Sequence, residues 1–231
     1  MALERNPYPG KFILLAGVDG SGKDTQGRRL ELVLRTQFNS VRVLKPFPKE
    51  PTQGPIGARI YDILFGRDPE FKLGPSGNLS DFEFQKFYIR DRIDHFQHLI
   101  IPALKAGTNI ICNRGIDSTI VYGANTIHGF KKIMEMHEEM FKEAGVSLIW
   151  PDLIVIYDVT PETALKRMEK KTKDAFENEL KVRRVTSNYR LLAALYPNCK
   201  IVDAEHEGEE GEKIIFAEAR QHIYPVLGVE V

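Results

Sequence analysis

The chain is expected to fold as an α/β protein, a five-stranded parallel sheet flanked by helices. Short apolar runs alternate with longer amphipathic stretches along its 231 residues, as they do when strands and helices alternate around such a sheet. The runs are continuous in Ile, Leu and Val, which suits strands covered on both faces. A glycine-rich turn joins the first run to the first amphipathic stretch, and it marks where chemistry is expected.

Five runs read as strands: Phe12–Ala16, Val41–Leu44, Asn109–Cys112, Leu153–Asp158 and Cys199–Asp203. The intervening stretches 23–37, 83–106, 118–127, 131–144, 161–171, 176–196 and 209–224 have helical length and periodicity. Thr160-Pro161-Glu162 reads as a helix start, with a capping residue followed by proline at the first helical position. Gly66–Ser80 is polar and rich in glycine and proline, and reads as a surface loop. Residues 166–184 set eight basic residues against four acidic ones, a solvated helix face unless a ligand needs the charge. The length suits one domain over 1–231.

Composition narrows the function. Hydrophobic residues at 42% and charged residues at 28% exclude wholesale disorder. Lysine plus arginine equals aspartate plus glutamate at 32 each, so no basic excess favours a nucleic-acid partner. No run approaches the length of a membrane span, and the first residues lack a signal-like apolar core. Cys112 and Cys199 sit in apolar runs and read as buried thiols, so a cytoplasmic location is expected. His95 and His98, beside Asp91 and Asp94, read as a solvated helix face rather than a metal cluster.

Gly17-Val18-Asp19-Gly20-Ser21-Gly22-Lys23 has the spacing G-x-x-x-x-G-K between a strand and a helix. Such glycines let successive backbone N–H groups turn toward one centre, and the helix N-terminus adds positive potential there. Lys23 adds a mobile point charge for the outer phosphates of a nucleotide. The next residue in this motif is commonly Ser or Thr, whose hydroxyl holds Mg²⁺; here it is Asp24, followed by Thr25. Two readings of Asp24 stand: an acid favoured by the dipole of the first helical turn, or a carboxylate oxygen for the metal.

With these residues in view, the chain resembles the thymidylate kinase family from about Lys11 to Leu227. The loop continues into Asp24-Thr25-Gln26, and Phe47-Pro48-Lys49-Glu50-Pro51 with Gly54-Pro55-Ile56-Gly57 resembles the segment after the second strand. Phe87-Tyr88-Ile89-Arg90-Asp91-Arg92 resembles the helix with an aromatic residue four before an arginine. Asn113-Arg114-Gly115-Ile116-Asp117-Ser118-Thr119-Ile120-Val121-Tyr122 resembles the D-R-Y-x-x-S-x-x-A-Y stretch, and Pro151 through Glu162 resembles the fourth strand and its turn. The resemblance implies a P-loop NTPase fold with a mobile lid at about 166–184. The implied reaction moves the γ-phosphoryl group of ATP to dTMP with Mg²⁺, and the implied assembly is a homodimer.

The same resemblance implies roles. ATP would lie on Gly17, Val18, Asp19, Gly20, Ser21, Gly22, Lys23, Asp24 and Thr25, with metal at Asp19, Asp24 and Thr25. Arg114 would grip the acceptor phosphate, where the fork of a guanidinium meets two oxygens at once, with Lys49 near it. Tyr88 would stack on thymine and Arg92 would reach its 4-carbonyl. Arginine has only donors and so opposes the amino group of cytosine. Ser118 and Thr119 would meet the base and Tyr122 the sugar, although each of these, like Tyr88, also fits a plain packing or capping role. The lid would supply Arg167 and Lys171 as cations, since Asp174-Ala175-Phe176-Glu177 lacks the usual lid arginine.

Two further departures are Asn113, where the family commonly has aspartate, and Gly115, expected to leave space beside the acceptor. Asn113 and Asp24 together look like a compensating exchange of one carboxylate. Two alternatives keep the fold: another acceptor such as dUMP or a purine deoxynucleotide, or a nucleotide-binding protein without catalysis.

Overall fold

The computed structural model describes residues 5–74, 76–168 and 179–230. Four strands form one parallel sheet: β1 (Phe12–Ala16), β2 (Ile110–Asn113), β3 (Leu153–Asp158) and β4 (Cys199–Asp203), in the order β2-β1-β3-β4. The central strand β1, Phe-Ile-Leu-Leu-Ala, is buried throughout, as its unbroken apolar run requires.

The expected fifth strand is a correction. Val41–Leu44 does run beside β2, but it makes only the isolated parallel bridge of Val43 with Asn109; a second bridge joins Lys49 to Asn113. Between those bridges stand Pro46 and Pro48, which have no N–H to give a ladder. The segment 41–50 is therefore pinned to the sheet edge at two points. Its second point brings Lys49 and Glu50 to the C-terminal end of β2, with Glu50 N–H donating to the Asn113 carbonyl at 3.0 Å.

The helices are α1 (Lys23–Thr36), α2 (Pro55–Leu64), α3 (Asp81–His95), α4 (Ile101–Lys105), α5 (Ile116–Gly123), α6 (Ile127–Glu143), α7 (Pro161–Met168), α8 (Glu179–Leu195) and α9 (Gly208–Leu227). The expected 83–106 helix is divided by a π-helical turn at Phe96–Ile100. Pro102 explains it, because it has no N–H to return to the carbonyl of residue 98. Helix α2 is an addition to the expected set. It carries proline in its first turn and buries Gly57, Ile60, Ile63 and Leu64 along one face.

One core cluster lies on both faces of the sheet, and a smaller one joins Ile60, Ile63 and Leu64 of α2 to Leu79 and Phe84. Tyr88 and Tyr122 pack on the smaller cluster. An apolar chamber thus forms beside the C-terminal ends of β1 and β2, where open parallel sheets bind ligands.

Candidate active site

A cavity of about 260 Å³ opens beyond the C-terminal ends of β1 and β2. Its polar end is built by the loop between β1 and α1. Gly17, Gly20 and Gly22 all have positive φ, at 136°, 84° and 88°, which lets the loop curl where side-chain-bearing residues would be strained. At Gly20 a Cβ would also stand 2.5 Å from the Ala164 carbonyl oxygen.

Two cations converge at this end on one oxygen. Lys23 Nζ lies 3.0 Å and Arg114 Nη2 2.6 Å from Asp19 Oδ1. Burial would raise the Asp19 carboxyl, but the charges of Arg114 and Lys23 outweigh it and hold the group far below the usual carboxylate range. Burial and the neighbouring Arg114 charge push the Lys23 ammonium down, opposed by Asp19 and Asp24. Arg114 has φ 66°, unusual for a residue with a side chain, directly after β2. That backbone turn is held by Arg114 N–H on the Leu15 carbonyl at 3.0 Å. The guanidinium also donates to Ser118 Oγ at 3.3 Å and lies over the Tyr122 ring at 5.4 Å.

Asp19, Lys23, Asp24, Lys49, Tyr88, Arg114, Ser118, Thr119 and Tyr122 all line the cavity, so half of the expected site residues meet in one place. Thr119 Oγ1 is buried and has no hydrogen-bond partner among the described residues. Arg92 is not on this wall. It is 1% exposed and paired to Glu50 Oε2 through Nε at 2.8 Å and Nη2 at 2.7 Å, and Glu50 is the residue that lines the cavity. Thr25 is half-buried on α1 and outside the lining. Arg167 lies at the back of the phosphate loop. Its guanidinium donates to the carbonyls of Ala204 at 2.9 Å, Glu205 and His206 at 3.2 Å, and Gly20 at 3.5 Å. Lys171 and Asp174-Ala175-Phe176-Glu177 lie outside the described residues.

Two expectations are corrected. A Cβ on Gly115 would stand 2.8 Å from Leu14 Cδ1, so glycine there relieves the core and does not enlarge the cavity. His95 is buried, with Nδ1 on Glu50 Oε1 at 3.1 Å, and Asp91 is buried too, accepting from Thr52 N–H and Oγ1 at 2.8 and 2.6 Å, while His98 and Asp94 keep the exposed position. Helix periodicity does not reveal such a partner, because Glu50 comes from the sheet-edge segment.

Tyr61 and Leu64 reach the cavity from α2 and Gln85 from one turn before Tyr88, three lining residues with no expected role. Asp117 has none either; its Oδ2 accepts from Ser118 Oγ at 3.1 Å and Tyr189 Oη at 3.2 Å. Burial raises the Asp117 carboxyl, against the charges of Arg114 and Arg92. The i, i+3 spacing of Gln85 and Tyr88 was a readable signal; Tyr189 was not.

For a divalent cation the chemistry fits. Asn113 Nδ2 donates to Asp24 Oδ1, and Asn113 Oδ1 is buried without a partner among the described residues. These oxygens, with Asp19, are hard donors of the kind Mg²⁺ takes alongside substrate phosphates. No group of three His, Cys, Asp or Glu side chains fit to hold a metal unaided occurs among the described residues.

The family follows from comparison with known proteins. The family model for thymidylate kinase matches residues 15–215. The thymidylate kinase of Caldicellulosiruptor saccharolyticus is 31% identical over 222 residues, covering 94% of this chain and 98% of that one. That of Desulforapulum autotrophicum is 32% identical over 233 residues, covering 95% and 93%. A solved structure, thymidylate kinase from Ehrlichia chaffeensis, superimposes with TM-score 0.64 at 23% identity over 93% of this chain and 98% of that one, a likeness of fold. The chain belongs to the thymidylate kinase family.

Proposed function

We propose that the chain transfers the γ-phosphoryl group of ATP to dTMP, yielding ADP and dTDP. The observation that carries this reading is the shared contact of Lys23 and Arg114 with Asp19 Oδ1, at 3.0 and 2.6 Å. It sets the donor-side and acceptor-side cations a few ångströms apart, within the span of an in-line displacement.

Backbone N–H groups of 17–22 and Lys23 hold the donor phosphates. Arg114, with Lys49 beside it, grips the acceptor phosphate and aims one of its oxygens at the γ-phosphorus. As that P–O bond forms, the bond from γ-phosphorus to the β–γ bridging oxygen breaks, and ADP leaves with the electron pair. Asp24, Asp19 and Thr25 would hold Mg²⁺, which would supply charge neutralisation on the triphosphate.

At the apolar end Tyr88 stacks on the thymine ring and Tyr122 sits beside the sugar. Thr119 offers the buried hydroxyl that has no partner among the described residues. Arg92, expected to reach the 4-carbonyl, stands behind the wall and bears on the acceptor through Glu50, which it holds with two hydrogen bonds and which lines the cavity. Arg167 braces the phosphate loop, and Lys171 belongs to the proposed lid at about 166–184 of a single domain.

No helix among the described residues is long and apolar enough to cross a membrane. A reducing cytoplasm suits the buried free thiols Cys112 and Cys199. Homodimerisation is carried with the family resemblance and is read by mass in solution.

The test is ADP release over a panel of nucleoside monophosphates, with and without Mg²⁺. Saturable, Mg²⁺-dependent turnover with dTMP is expected. Turnover only with another acceptor, or binding of ATP and dTMP without turnover, contradicts the proposal.

A further inference from the structure

Behind the cavity wall, four side chains form one buried row joining the 41–50 segment, α3 and α6. Glu50 accepts from His95 Nδ1 at one oxygen, 3.1 Å, and from Arg92 at the other. Arg92 Nη1 reaches His137 Nε2 at 2.6 Å, and His137 Nδ1 reaches the Ile133 carbonyl at 2.8 Å. None of the four is more than 6% exposed.

The proton positions in this row follow from what each group is able to do. A carbonyl only accepts, so His137 Nδ1 must carry hydrogen. A guanidinium only donates, so His137 Nε2 must offer a lone pair. Both demands are met by one neutral tautomer. Burial and the adjacent Arg92 charge also hold this imidazole well below the ordinary histidine range. At the other end, the Glu50 carboxylate only accepts, so His95 Nδ1 carries hydrogen too.

A bare carboxylate–guanidinium pair leaves the second face of the guanidinium unfixed. Here His137 pins that face from α6, and His95 pins the far oxygen of Glu50 from the last turn of α3.

We propose that His137 and His95 are positioning residues for the nucleotide acceptor: His137 fixes the Arg92 guanidinium, and Arg92 with His95 fixes the Glu50 carboxylate, the member of the row that lines the cavity. The proposal rests on the phosphoryl-transfer reading of the same cavity. Neither histidine touches the reacting atoms, so the effect falls on acceptor binding and not on the transfer step.

In steady-state kinetics, His137→Leu keeps side-chain bulk and removes the lone pair. It is expected to raise KM for dTMP about tenfold, the consequence of leaving a buried donor unpaired. The KM for ATP and kcat are expected to stay within about threefold of wild type. His137→Gln restores an acceptor oxygen and is expected to return KM for dTMP to within about threefold. A merely structural histidine would leave KM for dTMP unchanged in cooperatively folded His137→Leu, or would make Gln no better than Leu. Either result overturns the proposal. Long-range ¹H–¹⁵N imidazole spectra of the wild-type protein give an arm that needs neither turnover nor a folded variant. Neutral His137 with hydrogen on Nδ1 is expected, and hydrogen on Nε2 overturns the proposal. That arm keeps its meaning if dTMP proves not to be the acceptor, which the monophosphate panel decides separately.

Discussion

Arg114 holds a left-handed backbone conformation, φ 66°, that a side chain makes costly by about 1–3 kcal/mol. The contacts that fix it are the ones the proposed chemistry uses: its N–H on Leu15 and its guanidinium on Asp19 and Ser118. Arg114→Lys keeps the charge and loses the fork, so kcat with dTMP is expected to fall on the order of 100-fold with little change in melting temperature. A kcat within threefold of wild type would remove Arg114 from the acceptor site. The hydrogen bond from Asn113 to Asp24 gives the compensating exchange a physical basis. Asn113→Asp sets two carboxylates against each other and is expected to lower activity about tenfold, while adding Asp24→Ser relieves that repulsion. A double variant no more active than either single variant would show the two positions to be uncoupled. Lys23, Asp19 and Arg114 were legible because a loop spacing and a strand end locate them. Glu50 and His137 were not, since they meet Arg92 across sequence separations of 42 and 45 residues that no local period encodes.

Among the elements, strands β1 and β3 follow their apolar runs residue for residue, because double-faced burial leaves a continuous signal, and β4 matches its run although only Cys199 and Val202 are buried. The 41–50 segment departs from expectation because proline removes ladder donors, and the 83–106 helix divides at Pro102 for the same reason. Helix α2 was hidden in a short, glycine-bearing stretch, yet its Gly57 is required: a Cβ there would stand 2.1 Å from the Thr52 carbonyl oxygen. The turn from β1 to α1 is under a similar constraint at Gly20, where positive φ coincides with a 2.5 Å approach to Ala164. Gly20→Ala is expected to cost roughly 1–3 kcal/mol of stability and to raise KM for ATP. Thermal melts and ATP saturation curves check both, and an unchanged melting temperature would contradict the close packing of that loop on α7.

For the whole molecule, the buried groups set how stability varies with pH. His137 titrates well below its ordinary 6.5 because burial and then Arg92 disfavour its charged form. A depressed folded value means its contribution is complete above about pH 6.5 and is lost as pH falls below that. Glu50 is likewise lowered, since Arg92 and His95 outweigh the effect of burial, so its contribution is lost only at more acid pH, below the usual carboxylate range. Asp117, raised by burial, acts in the opposite sense and favours the fold at low pH. Melting temperature is therefore expected to drop between pH 6.5 and 5 in wild type, and to drop less in His137→Gln. Equal slopes would contradict a buried neutral His137. The central claim is that one end of a single cavity brings a phosphate-loop lysine and a strand-end arginine onto the two partners of a phosphoryl transfer. Rapid quench of enzyme mixed with γ-labelled ATP and dTMP tests it most directly. Label appearing in dTDP within one turnover, and lost in a folded Arg114→Ala variant, is the expected result; label released only as inorganic phosphate, or retained in ATP, would contradict it.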